Sequence, residues 1–173
     1  MTGSSSNPEL NALTAVSPVD GRYGSKTAGL RKIFSEYGLI RLRVKVEVEW
    51  LLALSHEPGI TEVATIADAD RAALRSLYEN LSIADAGAVK AHEAKTNHDV
   101  KAIEYFIKER LPAALHPVRE FVHFACTSED INNNAYALML LEAREQVLIP
   151  QMNTVIERLD AMARKAEGAG VQT

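Results

Sequence analysis

The sequence predicts an all-α protein, a small N-terminal helical domain followed by one very long helix. Three observations carry this. Aromatic residues make up only 6% of the 173, so the core has to be built from Leu, Ile, Val and Ala, a balance that favours helices over a β-sandwich. Apolar residues recur at helical spacing in segment after segment. No strand pattern survives beside that spacing, and no repeat or low-complexity tract interrupts it.

Residues 1–16 read as a flexible polar start. Pro18-Val19-Asp20-Gly21 follows as a turn, in which Pro presets φ, Asp bonds locally and Gly takes the strained position. The helical domain is expected over residues 17–126. Its first long helix runs from near Ser35 to His56. Within it Val44-Lys-Val-Glu-Val-Glu49 alternates like a strand, but Tyr37, Ile40, Val44, Val48 and Leu51 share one helical face, and a strand of the whole length would be unusual. Glu57-Pro-Gly59 breaks the chain. Leu74, Leu77, Tyr78 and Leu81 then fall at i, i+3, i+4 and i+7, an amphipathic helix, and Ser82 caps a further short one. Thr96-Asn-His-Asp99 has the spacing of an N-cap box, with Asp where Glu or Gln is usual. Val100, Ile103, Ile107 and Leu111 continue a helix that Pro112 ends. Pro117 suits the first turn of another short helix leading to Phe124.

The last helix starts at the cap signature Thr127-Ser-Glu-Asp130 and is expected to run to about Ala166. Leu141, Leu148, Val155 and Met162 repeat every seven residues, accompanied by Leu138, Met152 and Leu159. At ~1.5 Å per residue such a helix is on the order of 60 Å long. Pro150 inside it removes a backbone donor and is expected to bend it. The preceding domain is too small to cover this stripe, so partner helices are required, from later in the chain or from other subunits. Residues 127–173 close on Glu167-Gly-Ala-Gly-Val-Gln-Thr173 without a final element, which reads as a chain cut short.

Composition excludes several classes of function. The net charge is −4 and no run of Lys or Arg is long enough for a nucleic-acid footprint, although a local Arg can still hold a small anion. Cys126 is the one cysteine, so no internal disulfide is possible. The start of the chain lacks a basic region followed by an apolar one, and the longest apolar run, Ala135 to Leu141, is far short of the roughly 20 residues of a membrane helix. A cytoplasmic protein with no nucleic-acid or membrane partner is expected. There is no Gly-rich phosphate loop, CxxC, HExxH or GxSxG, and no two of the five histidines form a ligand pair on a helix face. No metal and no cofactor are expected.

Three polar clusters are left, each at the start of an element. Asp20-Gly-Arg-Tyr23 reads as a solvated turn, or as an Arg fork and a Tyr hydroxyl that hold a phosphate. Thr96-Asn-His-Asp-Val-Lys101 reads as a helix cap with a surface His, or as backbone donors and an imidazole around an anionic ligand. Cys126-Thr-Ser-Glu-Asp-Ile-Asn-Asn133 offers two hydroxyls that serve equally as caps or as anion donors, with Cys126 a small packing residue.

In order and spacing, Ser17-Pro-Val-Asp-Gly-Arg-Tyr23, Ile33-Phe-Ser-Glu-Tyr-Gly38, Thr96-Asn-His-Asp-Val-Lys-Ala-Ile-Glu-Tyr105 and Phe121-Val-His-Phe-Ala-Cys-Thr-Ser-Glu-Asp-Ile-Asn-Asn133 closely resemble the bacterial adenylosuccinate lyases, of the fumarase/aspartase superfamily. The resemblance runs from about Leu13 to the end of the chain. It implies an all-α fold whose long helix is the first of a central bundle, assembled as a homotetramer whose sites draw residues from three subunits. It implies elimination of fumarate from adenylosuccinate, giving AMP, and from succinylaminoimidazole carboxamide ribotide. Carried over residue by residue, Arg22 and Tyr23 match the pair at the nucleotide phosphate. Asn97, His98 and Asp99 match a substrate-contacting triplet in which the His orients substrate and can assist proton transfer. Thr127 and Ser128 match hydroxyls that hold the succinyl part. The general-acid His, in a Thr-His-Gly-Gln segment, and the base Ser, on a Gly-Ser-Ser loop, have no match in these residues, so this chain alone is expected to be inactive. The alternatives are a non-catalytic helical oligomerisation module and another lyase of the superfamily, such as argininosuccinate lyase.

Overall fold

In the computed structural model, which describes residues 9–168, one central helix organises the rest. Turns lead through a 3-10 segment, Ala28–Leu30, to α1 (Arg31–Phe34) and then α2 (Glu36–Leu54). Ser35 stands between them with extended backbone, and its Oγ accepts the Gly38 amide at 3.3 Å. Gly38 lies so close to α1 that a Cβ there would stand 2.2 Å from the Ile33 carbonyl oxygen. Any side chain at this position would force the corner open.

α2 is buried on two faces. Ile40, Val44, Val48 and Leu51 meet Leu74, Val89, Ile103 and Phe106 of α3 (Asp68–Glu79), α4 (Ile83–Thr96) and α5 (Asp99–Arg110). Leu42, on the other face, packs with Ile33 of α1 and with Ala135, Met139 and Ala143 of α6 (Ser128–Ala143). Val46 leans on this second cluster while Val44 and Val48 serve the first. The strand-like alternation is thus the imprint of a helix sandwiched between two apolar neighbours.

Several boundaries differ from the sequence reading. α3 stops at Glu79, so Leu81 is buried just past the helix rather than in its last turn. Ser82 does cap α4, through reciprocal bonds with Asp85, but that helix has 14 residues and is not short. The cap expected at Thr96 lies two residues later. Thr96 ends α4, Asn97 turns the chain with left-handed backbone (φ 51°), and His98 caps α5. Asn tolerates that conformation, so one helix can close and the next open within three residues. α5 ends before Pro112 as expected, but Pro117 falls inside a 3-10 helix, Ala113–Phe121, instead of opening an α-helix. Gly21 is not left-handed. It is required by space, because a Cβ would meet the Ala12 carbonyl oxygen at 2.9 Å. Of the start read as flexible, residues 1–8 lie outside the described residues, while the Asn11 carbonyl accepts the Thr14 and Ala15 amides at 3.1 and 2.9 Å.

α6 passes through a π turn, Arg144–Leu148, into α7 (Ile149–Gly168). The feature near Pro150 is therefore a widened turn, in which the Ile149 amide reaches back to the Arg144 carbonyl. The proline ring would crowd the carbonyl of Gln146, and the wider turn moves that carbonyl out of its way. The apolar stripe also divides. Leu138 packs on the second cluster, so the first half of the rod does find its partner in this chain. Leu141, Leu148, Met152, Val155, Leu159 and Met162 stay 47–67% exposed. No helix among the described residues is long and apolar enough to cross a membrane.

Candidate functional site

Arg43, on α2, is 3% exposed and joins two of the three polar clusters. Its Nη2 lies 2.6 Å from Asp99 Oδ2, and its Nε donates to Asn132 Oδ1 at 2.9 Å. The start of α5 and the first turns of α6 are thereby fixed against one guanidinium. One turn along α2, the fully buried Glu47 meets His123 Nδ1 at 2.6 Å, and beyond it the Trp50 indole donates to the Phe124 carbonyl at 2.8 Å. Positions 43, 47 and 50 share a helical face, so α2 holds the segment leading into α6 at successive points. That segment is strained: His123 (φ 66°) and Ala125 (φ 58°) are left-handed without being glycine.

His98 is half-exposed, and its Nδ1 accepts the Lys101 amide at 3.1 Å. A neutral ring bonded this way carries its proton on Nε2 and offers it as a donor. Asn97 is exposed beside it. Burial pushes the Asp99 carboxyl up, but the Val100 amide and the Arg43 guanidinium together hold it below the ordinary value. At the start of α6, the Thr127 amide and hydroxyl both donate to Asp130 Oδ2, at 2.7 and 2.8 Å. The Thr127 proton is therefore committed to the cap. Ser128, half-buried in the first turn, makes no side-chain hydrogen bond among the described residues and is the freer hydroxyl. A cleft of about 250 Å³ opens near the start of α6, lined in part by Trp50, Cys126, Asp130 and Asn134, although Ser128 itself does not line it. Burial, with Glu47 and Asp130 nearby, pushes the Cys126 thiol up, which suits packing rather than nucleophilic attack.

Arg22 and Tyr23 stand apart. Both are exposed, with the Arg22 guanidinium 5.5 Å from the centre of the Tyr23 ring. Among the described residues no hydrogen bond or ion pair ties their side chains to the other clusters, and neither lines the neighbouring cleft of about 200 Å³ between Val19, Arg31 and Phe34. Within one copy, then, the structure joins the second and third clusters and leaves the first separate. Among the described residues no three His, Cys, Asp or Glu side chains gather as a metal site. Arg43 and Glu47 were missed in the sequence reading. Nothing local marks them, because Arg41, Lys45 and Glu49 carry charge in the same alternating stretch of α2.

The joined clusters present donors: the Nε2–H of His98, the Ser128 hydroxyl and the N-termini of α5 and α6. Such an arrangement suits an anionic ligand. The family described as Lyase matches residues 21–169. This chain belongs to that lyase family. It is 52% identical over 159 residues to an adenylosuccinate lyase of Vibrio cholerae and 51% over 157 residues to one of Escherichia coli. To one of Dictyostelium discoideum it is 43% identical over 164 residues. These alignments take in 90–92% of the chain but only 34–35% of each relative, so the chain spans about a third of the length of the curated relatives it matches.

Proposed function

We propose that these residues form the N-terminal portion of an adenylosuccinate lyase, which eliminates fumarate from adenylosuccinate to give AMP and acts likewise on succinylaminoimidazole carboxamide ribotide. The observation that carries the reading is Arg43 bridging Asp99 and Asn132, since it binds together two motifs that the sequence associates with one substrate. In this reading Asn97, His98 and Asp99 orient the substrate, with His98 donating from Nε2. Ser128 and Thr127 hold the succinyl carboxylates, Thr127 by turning its hydroxyl from Asp130 to the substrate when it binds. Arg22 and Tyr23 receive the phosphate. Their separation from the other clusters agrees with sites assembled from several subunits of a cytoplasmic homotetramer. Residues 17–126 then act as the N-terminal helical domain, and 127–173 as the first helix of a central bundle anchored to that domain through α2.

The chemistry removes a proton beside a carboxylate and protonates the departing nitrogen, so a site rich in fixed donors lowers the barrier by stabilising the developing negative charge. The test is fumarate release from adenylosuccinate by the polypeptide encoded in the whole reading frame, with the 173 residues alone as the second arm. Turnover by the first and none by the second is expected. A full-length protein that binds adenylosuccinate without releasing fumarate would overturn the reading in favour of a non-catalytic module.

A further inference from the structure

Glu47 and His123 have no part in the reading above, yet they form a demanding arrangement. Glu47 is fully buried in the middle of α2. Its Oε1 meets His123 Nδ1 at 2.6 Å, while its Oε2 is buried with no hydrogen-bond partner among the described residues. A position that only filled space would be served as well or better by an apolar side chain of the same volume. The partner is equally constrained. His123 holds a left-handed backbone, φ 66°, two residues from a second left-handed residue, Ala125, in a segment pinned by the Trp50 indole. Its side chain is 21% exposed, and its ring makes no other hydrogen bond among the described residues. Nε2 is thus left without a protein partner among the described residues, in the segment that runs directly into Cys126, Thr127 and Ser128.

We propose that Glu47 is a positioning residue, which grips the His123 ring by Nδ1 so that Nε2 is offered to the substrate beside the start of α6. This rests on the reading of the chain as part of an adenylosuccinate lyase. The two histidines then present opposite faces of the same chemistry. His98 accepts at Nδ1 and donates from Nε2 when neutral. His123 donates at Nδ1, so its neutral Nε2 is an acceptor and becomes a donor only when the ring is protonated. Glu47 on one side and an anionic substrate at Nε2 on the other fix the ring between two oxygen-bearing partners. His123 is thereby suited to the carboxylate-rich part of the substrate, where negative charge develops during elimination.

The experiment uses the full-length enzyme and two variants, Glu47→Gln and Glu47→Met. Both are expected to lower kcat by about 10-fold or more while KM moves by less than about 3-fold, because positioning of an acid–base group is felt mainly in the transition state. Glu47→Met, which leaves the Nδ1–H without its acceptor, should melt below the parent, and Glu47→Gln, which keeps an acceptor oxygen, should melt closer to it. A folded variant with wild-type kcat overturns the proposal. Ring-nitrogen NMR of histidine-labelled wild-type enzyme decides the matter independently of any variant. The expected result is a protonated Nδ1 at His123 and an Nε2 signal that moves when fumarate is added. An unprotonated Nδ1, or an Nε2 signal that ignores fumarate, overturns it. Failure of the wild type to release fumarate would instead strike at the proposed activity, and the Nδ1 signal would still report whether Glu47 holds His123.

Discussion

Arg43 Nη2 and Asp99 Oδ2 lie 2.6 Å apart, and the two ends of this pair sit in unlike surroundings: the guanidinium is 4% exposed and the carboxylate 46%. Losing the carboxylate leaves a buried cation without its counter-charge, with only neutral amide oxygens to accept from it. Asp99→Asn should therefore destabilise the protein by about 1–2 kcal/mol, less than a fully buried pair because Asp99 is half in water. The effect depends on pH. The folded Asp99 carboxyl titrates below the ordinary value of 3.8, so its contribution is fully present above that value and is lost as pH falls through the lower folded one. The gap between the melting curves of parent and variant should hold above pH 3.8 and close only as pH falls beneath it, through the lower folded value. A gap that stays constant through acid would show that Asp99 does not act through its charge.

His98 has two roles that substitution can separate. His98→Gln removes the acceptor that caps α5 and should cost about 1 kcal/mol, whereas His98→Asn keeps a capping oxygen and should melt near the parent. Both remove the Nε2 donor, and in the full-length enzyme both should lower kcat/KM by at least about 10²-fold. Near-normal kcat/KM in His98→Asn would leave His98 with its cap alone.

Arg22 is exposed and stacks near the Tyr23 ring, with no structural partner to lose. Arg22→Lys should thus leave stability unchanged while weakening substrate binding by about 1–3 kcal/mol, since an ammonium cannot reproduce the bidentate fork. Unaltered KM and kcat would return residues 20–23 to the status of a turn.

The six exposed stripe residues from Leu141 to Met162 are 47–67% exposed, and covering them would contribute on the order of 5–10 kcal/mol. The protein should self-associate through α7, and Val155→Asp with Leu159→Asp should break that association without unfolding α1 to α6. Light scattering across a dilution series, with limited proteolysis, reads both. A strictly monomeric parent with a protease-resistant α7 would contradict the expectation.

Much of this fold was legible because its punctuation is local. Ser35, Ser82, Pro112 and Thr127 each act within four residues, and each marks a boundary where the sequence places it. The Thr96 to Asp99 stretch was harder, since Thr96 and His98 can both cap and only the left-handed Asn97 decides between them. Burial across the molecule was out of reach. Nothing near Leu138 in sequence distinguishes it from Leu141, yet only the former meets the second core cluster. Arg43 and Glu47 escaped notice for the same reason: their partners Asp99, Asn132 and His123 are 56, 89 and 76 residues away.

The π turn between α6 and α7 sets the angular phase of the whole rod. It holds the equivalent of one extra residue, so everything beyond Leu148 is rotated by about a quarter turn relative to an unbroken α-helix. The face that grips α2, from Ala135 to Ala143, and the face that stays open, from Leu148 to Met162, are therefore aimed independently of each other. Removing one residue between Arg144 and Leu148 together with Pro150→Ala, which lifts the proline clash, would keep the rod helical and swing the open face away from whatever it meets.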